Sequence, residues 1–202
     1  MSRKALLIIP ELCIGCRACQ VACKSWNQLP AEETINEGTH ENPTDLTAYT
    51  YNRIKFIEKP LNEKGIKYLF VSQRCMHCGE PLCAEVCPTE TLFVSEEGAV
   101  LYLKERCIGC GLCRKACPYD VPRYDENGEI SKCHLCIDRI WEGLEPACAK
   151  TCPTSSIKFG EREELINEAK KKGYKIIYGE KDFGGLGVIF ALNEPPEVYE
   201  LP

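Results

Sequence analysis

Sixteen of the 202 residues are cysteine, and they fall into four groups of four with none left over. Group one is Cys13, Cys16, Cys19 and Cys23, spaced C-x2-C-x2-C-x3-C. Group two is Cys75, Cys78, Cys83 and Cys87, spaced C-x2-C-x4-C-x3-C and followed by Pro88. Group three, Cys107, Cys110, Cys113 and Cys117, repeats the first spacing and is followed by Pro118. Group four is Cys133, Cys136, Cys148 and Cys152, spaced C-x2-C-x11-C-x3-C and followed by Pro153. A chain with thiols in such runs must build its interior around whatever binds them.

Disulfides fit poorly: three cysteines within seven residues share one tight loop, where bridging geometry is unfavourable and no long loop is closed. Zinc is a second possibility, because C-x2-C pairs are common at structural zinc sites. Zinc ribbons, however, draw two cysteines from each of two knuckles, whereas groups one and three present three in succession and a fourth after a fixed gap. C-type haem is excluded, since no C-x2-C pair is followed by histidine. The run C-x2-C-x2-C-x3-C-P is that of bacterial ferredoxins, in which the fourth cysteine ligates the other cluster. Iron–sulfur is the favoured chemistry and a zinc-stapled scaffold the alternative.

The spacing has a physical reason. A wrapping loop with two residues between ligands lets three thiolates reach three corners of one cubane, and Gly15 and Gly109 allow close backbone approach there. The fourth cysteine lies beyond that reach and completes a neighbour. Proline after it sharpens the exit; Cys23 is followed by Lys24 instead, so its helix can run on towards Trp26. Basic residues near the ligands (Arg17, Lys24, Arg74, Arg106, Arg114, Lys115, Lys132, Arg139) offset cluster charge, although any one alone reads as a solvated surface charge.

Groups two and three repeat at spacings of 32, 32, 30 and 30 residues, with a hairpin pattern at 91–94 and 99–103 between them. Groups one and four then pair across this inner unit, with 5–9 and 157–159 as the equivalent strands. The expected fold is α+β: two nested ferredoxin-like units, each with two [4Fe–4S] clusters and short β-hairpins, plus a β-hairpin insert and a C-terminal α/β extension. The expected divisions are 1–23 with 133–160 (outer unit), 24–74 (insert), 75–132 (inner unit) and 161–202 (extension). Crossover gives four ligand sets: Cys13, Cys16, Cys19 and Cys152; Cys133, Cys136, Cys148 and Cys23; Cys75, Cys78, Cys83 and Cys117; Cys107, Cys110, Cys113 and Cys87. Iron is thus the metal held by all sixteen cysteines.

The insert reads as a polar loop over 28–45, then a hairpin whose strands start near Tyr49 and Ile66 and turn at Asn62 to Gly65. Residues 161–172 predict an amphipathic helix with Leu165, Ile166 and Ala169 inward and Gly173 as its stop, and 175–178 and 188–192 predict strands. The tail from Pro195-Pro196 is expected to lie along a neighbour. His77 and His134 sit inside C-x2-C loops, where a plain hydrogen-bonding role outweighs electron gating. Trp26 and Trp141 read as packing residues, and His40 carries no signal.

Net charge of −5 gives no electrostatic case for nucleic acid or an anionic membrane. The longest apolar stretch, 186–192, is far short of the roughly 20 residues of a membrane-spanning helix. Residues 5–9 are too short for the core of a signal peptide. No nucleophile–base pair, G-x-G-x-x-G fingerprint or P-loop is visible.

Several strings match a family. Cys13-Ile14-Gly15-Cys16-Arg17-Ala18-Cys19-Gln20-Val21-Ala22-Cys23-Lys24 resembles the four-cluster electron-transfer subunits that accompany molybdenum or tungsten bis-pterin oxidoreductases. So do Cys117-Pro118-Tyr119-Asp120-Val121-Pro122-Arg123 and Lys132-Cys133-His134-Leu135-Cys136-Ile137-Asp138-Arg139. Within that family, Trp26-Asn27, Gly38-Thr39-His40-Glu41-Asn42-Pro43 and a strand over 47–56 resemble the beta subunit of formate dehydrogenase. Membrane-bound relatives end in a transmembrane helix, for which this sequence offers no segment, so the resemblance is to a soluble enzyme's subunit.

The resemblance implies a non-catalytic electron conduit carrying four [4Fe–4S] clusters. The partners it implies are a large Mo/W-bis-pterin catalytic subunit, that of a formate dehydrogenase (alpha), and an acceptor such as a cytochrome, a ferredoxin or a further subunit. It implies no nucleic acid and no direct membrane span. The compartment implied is the periplasm, reached by co-export with the catalytic subunit, with the cytoplasm as the other option. The same conduit role in a polysulfide, nitrate, dimethyl sulfoxide or aldehyde oxidoreductase, or in a hydrogenase-linked complex, is the alternative.

Overall fold

The computed structural model describes residues 3–60 and 65–202. In chain order, β1 (Lys4–Ile8) leads through the first cysteine loop into α1 (Ala18–Trp26), and β2 (Asn52–Pro60) forms a hairpin with β3 (Ile66–Arg74). The second and third cysteine groups run through α2 (Leu82–Glu85), the hairpin of β4 (Leu92–Val94) and β5 (Val100–Tyr102), and α3 (Leu112–Ala116). A small hairpin of β6 (Arg123–Tyr124) and β7 (Ile130–Ser131) precedes α4 (Ile137–Trp141) and α5 (Ala147–Lys150). Then come β8 (Ile157–Glu161), α6 (Arg162–Lys171), β9 (Ile176–Tyr178) and β10 (Val188–Leu192).

The apolar runs at 4–8 and 188–192 are buried on both faces, which is why neither alternates. They pair in parallel at the centre of a four-stranded sheet ordered β8-β1-β10-β9, with the outer two strands antiparallel. Leu6, Ile8, Val188, Phe190 and Leu192 face the core shared with the cysteine loops. Ala5, Leu7, Ile189 and Ala191 face α6, packing on Leu165, Ile166 and Ala169. Acidic residues open α6 and lysines end it, complementing the helix dipole, and Gly173 at φ +88° stops it.

This sheet brings the outer cysteine groups side by side. β1 runs into Cys13 and β8 follows Cys152, and the two strands pair with Ile8 opposite Ile157. Helix α1, bearing Cys19 and Cys23, packs on α5, bearing Cys148. The inner groups repeat the arrangement, with α2, bearing Cys83, against α3, bearing Cys113.

The β2–β3 hairpin presents one face to the first cysteine loop and the other to the C-terminal tail. Ile54, Phe70 and Ser72 line a hollow beside that loop, while Lys55, Val71 and Gln73 line a cavity with Tyr199 and Glu200. Tyr199 is buried and its hydroxyl bonds Glu11 at 2.6 Å, so the tail lies against the body of the chain.

Several boundaries depart from expectation. Residues 47–50 form a tight turn instead of a strand, because Thr47 Oγ1 accepts the Tyr49 N–H and competes with extended pairing. The hairpin strands start at Asn52 and extend to Pro60 and Arg74, beyond the expected ends. Of its expected turn, Asn62, Glu63 and Lys64 lie outside the described residues. The β6–β7 hairpin is an addition, its strands too short to show periodicity. The expected C-terminal extension supplies two strands to the central sheet, with β10 beside β1. Among the described residues no helix is long and apolar enough to cross a membrane.

Candidate metal centres

The first cysteine loop turns through Gly15 and Arg17, both at positive φ. A Cβ on Gly15 would sit 2.8 Å from the Phe70 ring, so only glycine lets the loop close onto the hairpin. Cys13, Cys16, Cys19 and Cys152 together line one hollow, with Ile8, Ile54 and Ile157 as apolar lining. A second hollow is lined by Cys107, Cys110, Cys113 and Cys87.

The remaining cysteines meet in the same crossed fashion. Burial raises the Cys23 thiol well above its ordinary value, and Cys133, Cys148 and Cys136 add to the rise. Cys78 is pushed up to about 12, by burial first and then by Cys75, Cys117 and Cys83. Cysteines of different groups thus lie near one another: Cys152 lines the hollow of group one and Cys87 that of group three, while Cys23 lies near group four and Cys117 near group two. All sixteen are free of disulfide bonds.

Donors are aimed at the sulfurs. The Thr91 and Ile130 N–H groups donate to Cys87 and Cys107 Sγ, each at 3.3 Å, and Leu135 N–H donates to Cys133 Sγ at 3.4 Å. Burial opposes ionisation of Cys87, yet the Thr89 side chain and the N–H groups of 89, 92 and 91 bring it down to about 7.

Among the described residues, the buried His77 Nε2 has no acceptor, and unpaired buried polar atoms are costly. His77 Nδ1 accepts the Val100 N–H at 3.0 Å, which leaves the proton on Nε2; burial, then Lys132 and other cations, keeps the ring neutral. Asn52 lies against Cys19, a position where sulfur would accept.

The basic residues near the ligands separate into two kinds. Arg106, Arg114 and Lys115 are exposed, and Arg114 pairs with Asp120. Lys24 pairs with Glu32, Arg17 lies over Phe56, and Arg139 lies over Trp26. Arg74 and Lys132 are buried, and neither forms a salt bridge among the described residues. Lys132 Nζ bonds the Val100 and Cys133 carbonyls. Burial opposes the charge on Arg74, but Cys148, Cys19 and Cys133 more than offset it, and its pKa rises above the ordinary arginine value.

His134 makes the plain contact expected of it, bonding Asn27 Oδ1 at 2.6 Å. Trp26 and Trp141 are exposed and bond Asp138 and Glu97 respectively, so the expected packing roles do not describe them. Sequence reasoning missed Tyr124, whose hydroxyl lies 3.0 Å from Cys113 Sγ. It also missed Thr89 and Thr154, whose hydroxyls lie 3.7 and 3.8 Å from Cys87 and Cys152 Sγ. The last two had a signal: groups two and four both end Cys-Pro-Thr.

Comparison with known proteins agrees with this chemistry. Two family models described as a 4Fe-4S dicluster domain match residues 12–91 and 66–162. The formate dehydrogenase-O iron-sulfur subunit of Escherichia coli is 40% identical over 208 residues, covering 96% of this chain and 69% of that protein. Formate dehydrogenase 2 subunit beta (cytochrome c-553) of Nitratidesulfovibrio vulgaris is 38% identical, covering 84% of this chain and 81% of that protein. The hydrogenase-2 operon protein HybA of Escherichia coli O157:H7 is 35% identical, covering 98% of this chain and 72% of that protein.

Proposed function

The chain belongs to the 4Fe-4S family of formate dehydrogenase iron–sulfur subunits, and on that footing we propose that it is the conduit linking a formate-oxidising catalytic subunit to an external electron acceptor. The observation that carries the reading is the crossed convergence of cysteines from groups far apart in sequence. It supports four [4Fe–4S] clusters, held by Cys13, Cys16, Cys19 and Cys152; by Cys133, Cys136, Cys148 and Cys23; by Cys75, Cys78, Cys83 and Cys117; and by Cys107, Cys110, Cys113 and Cys87.

When bound, such clusters take up and release single electrons over a wide range of potentials. The chain's own residues do the rest. Thiolates fix each site, the positive-φ turns at Gly15 and Gly109 draw the loops close, and Ile8, Ile54, Phe70 and Ile157 keep water from one hollow. Backbone N–H groups and the Tyr124 hydroxyl donate to sulfur and favour added negative charge. Cys16 and Cys110 are the two exposed cysteines and belong to different sets, which supports entry at one and exit at the other.

The catalytic partner in this reading is a large Mo/W-bis-pterin subunit. The relative named for cytochrome c-553 supports a cytochrome as acceptor, and the reading extends to a periplasmic complex assembled before export. The similarity to HybA supports a second reading, a hydrogenase-linked conduit. The intact complex, purified without oxygen, separates them. Formate reduces this chain's clusters, seen as reduced-state EPR signals, while hydrogen leaves them oxidised; reduction by hydrogen and not formate would transfer the assignment to the second reading.

A further inference from the structure

Arg74 stands at the end of β3, immediately before Cys75, and is fully buried. Strand alternation puts Ser72 and Arg74 on one face with Asn52, the cross-strand partner of Arg74. The guanidinium is fixed there: its Nε donates to Ser72 Oγ at 2.9 Å, and Ser72 Oγ donates to Asn52 Oδ1 at 2.8 Å. Its free edge turns to sulfur, with Nη1 donating to Cys148 Sγ at 2.9 Å. Ser72, which holds the guanidinium, also lines the hollow of Cys13, Cys16, Cys19 and Cys152, and Cys148, Cys19 and Cys133 favour the charge on Arg74. Cys148 belongs to one proposed ligand set and Cys19 to another. The Asn52 side chain lies beside Cys19 in the same cluster of groups.

We propose that Arg74 is a shared counter-charge for two neighbouring clusters and raises the reduction potential of both. This rests on the four-cluster reading above. One-electron reduction of either cluster adds one negative charge; no bond is made or broken and no proton need move. A buried positive charge at short range, in a medium where fields are poorly screened, stabilises that added charge. Clamped by Ser72, the guanidinium cannot swing to serve one cluster and abandon the other.

The test compares the full chain with Arg74→Gln and Arg74→Lys, all purified without oxygen, by iron and sulfide content and by EPR-monitored redox titration. With iron retained, Arg74→Gln shifts two of the four reduction steps to lower potential, each by at least a tenfold change in equilibrium, about 59 mV for one electron. Arg74→Lys stays close to the parent. A fully loaded Arg74→Gln with all steps unmoved, or with only one moved, overturns the proposal. If Arg74→Gln fails to load, Arg74→Lys decides: restored iron and potentials support a charge role, and a second failure assigns Arg74 to packing and overturns it. A parent chain lacking about sixteen irons would instead refute the four-cluster reading, independently of Arg74.

Discussion

Cys13 and Cys152 line the same hollow, although every other cysteine of the chain lies between them in sequence. β1 and β8 enforce this meeting, since one strand enters the first loop and its antiparallel partner leaves the last cysteine group. Cys152→Ser is therefore expected to remove the cluster proposed on Cys13, Cys16 and Cys19 and to spare the one proposed on Cys133, Cys136 and Cys148. Iron should fall by up to about four atoms per chain, and EPR of Cys152→Ser should match that of Cys16→Ser.

Tyr124 offers a finer probe. Its hydroxyl is 3.0 Å from Cys113 Sγ and donates when that sulfur is a thiolate. Tyr124→Phe keeps the ring and deletes the donor, so one cluster should titrate at lower potential with the other three unmoved and iron content unchanged. Redox titration followed by EPR reads the difference.

Gly109 tests the loop geometry. Its φ is +66°, and a Cβ there would lie 2.8 Å from the backbone carbonyl of Gly128 in the β6–β7 turn. Gly109→Ala incurs about 1–2 kcal/mol from the left-handed backbone alone, with the carbonyl clash added. The third cysteine loop should load poorly while the first loads normally, as iron quantification and spectroscopy of the purified variant will show.

Much of the site is written in the sequence because cluster ligation demands fixed short spacings, and these survive whatever surrounds them. The apolar runs of β1 and β10 were equally plain, but not that they pair in parallel, since nothing local encodes which strand lies beside which. Arg74 was one of eight basic residues near ligands and looked like the others. What distinguishes it is the register of β3 against β2, a tertiary property. Thr47 and Tyr49 misled in the opposite direction, because a side-chain hydrogen bond overrode the alternating pattern.

Phe190 tests the sheet that unites the two halves of the outer site. It is fully buried in β10, directly opposite Ile8 of β1 and Tyr178 of β9. Phe190→Ala is expected to cost about 3–5 kcal/mol. The loss appears as cluster bleaching and unfolding at lower denaturant concentration, with potentials unchanged under native conditions.

Anaerobic determination of metal and acid-labile sulfide in the freshly purified chain tests the central claim most directly. The account predicts about sixteen irons and about sixteen sulfides per chain, in a brown protein with no stoichiometric zinc. A colourless protein holding zinc and no labile sulfide would contradict it.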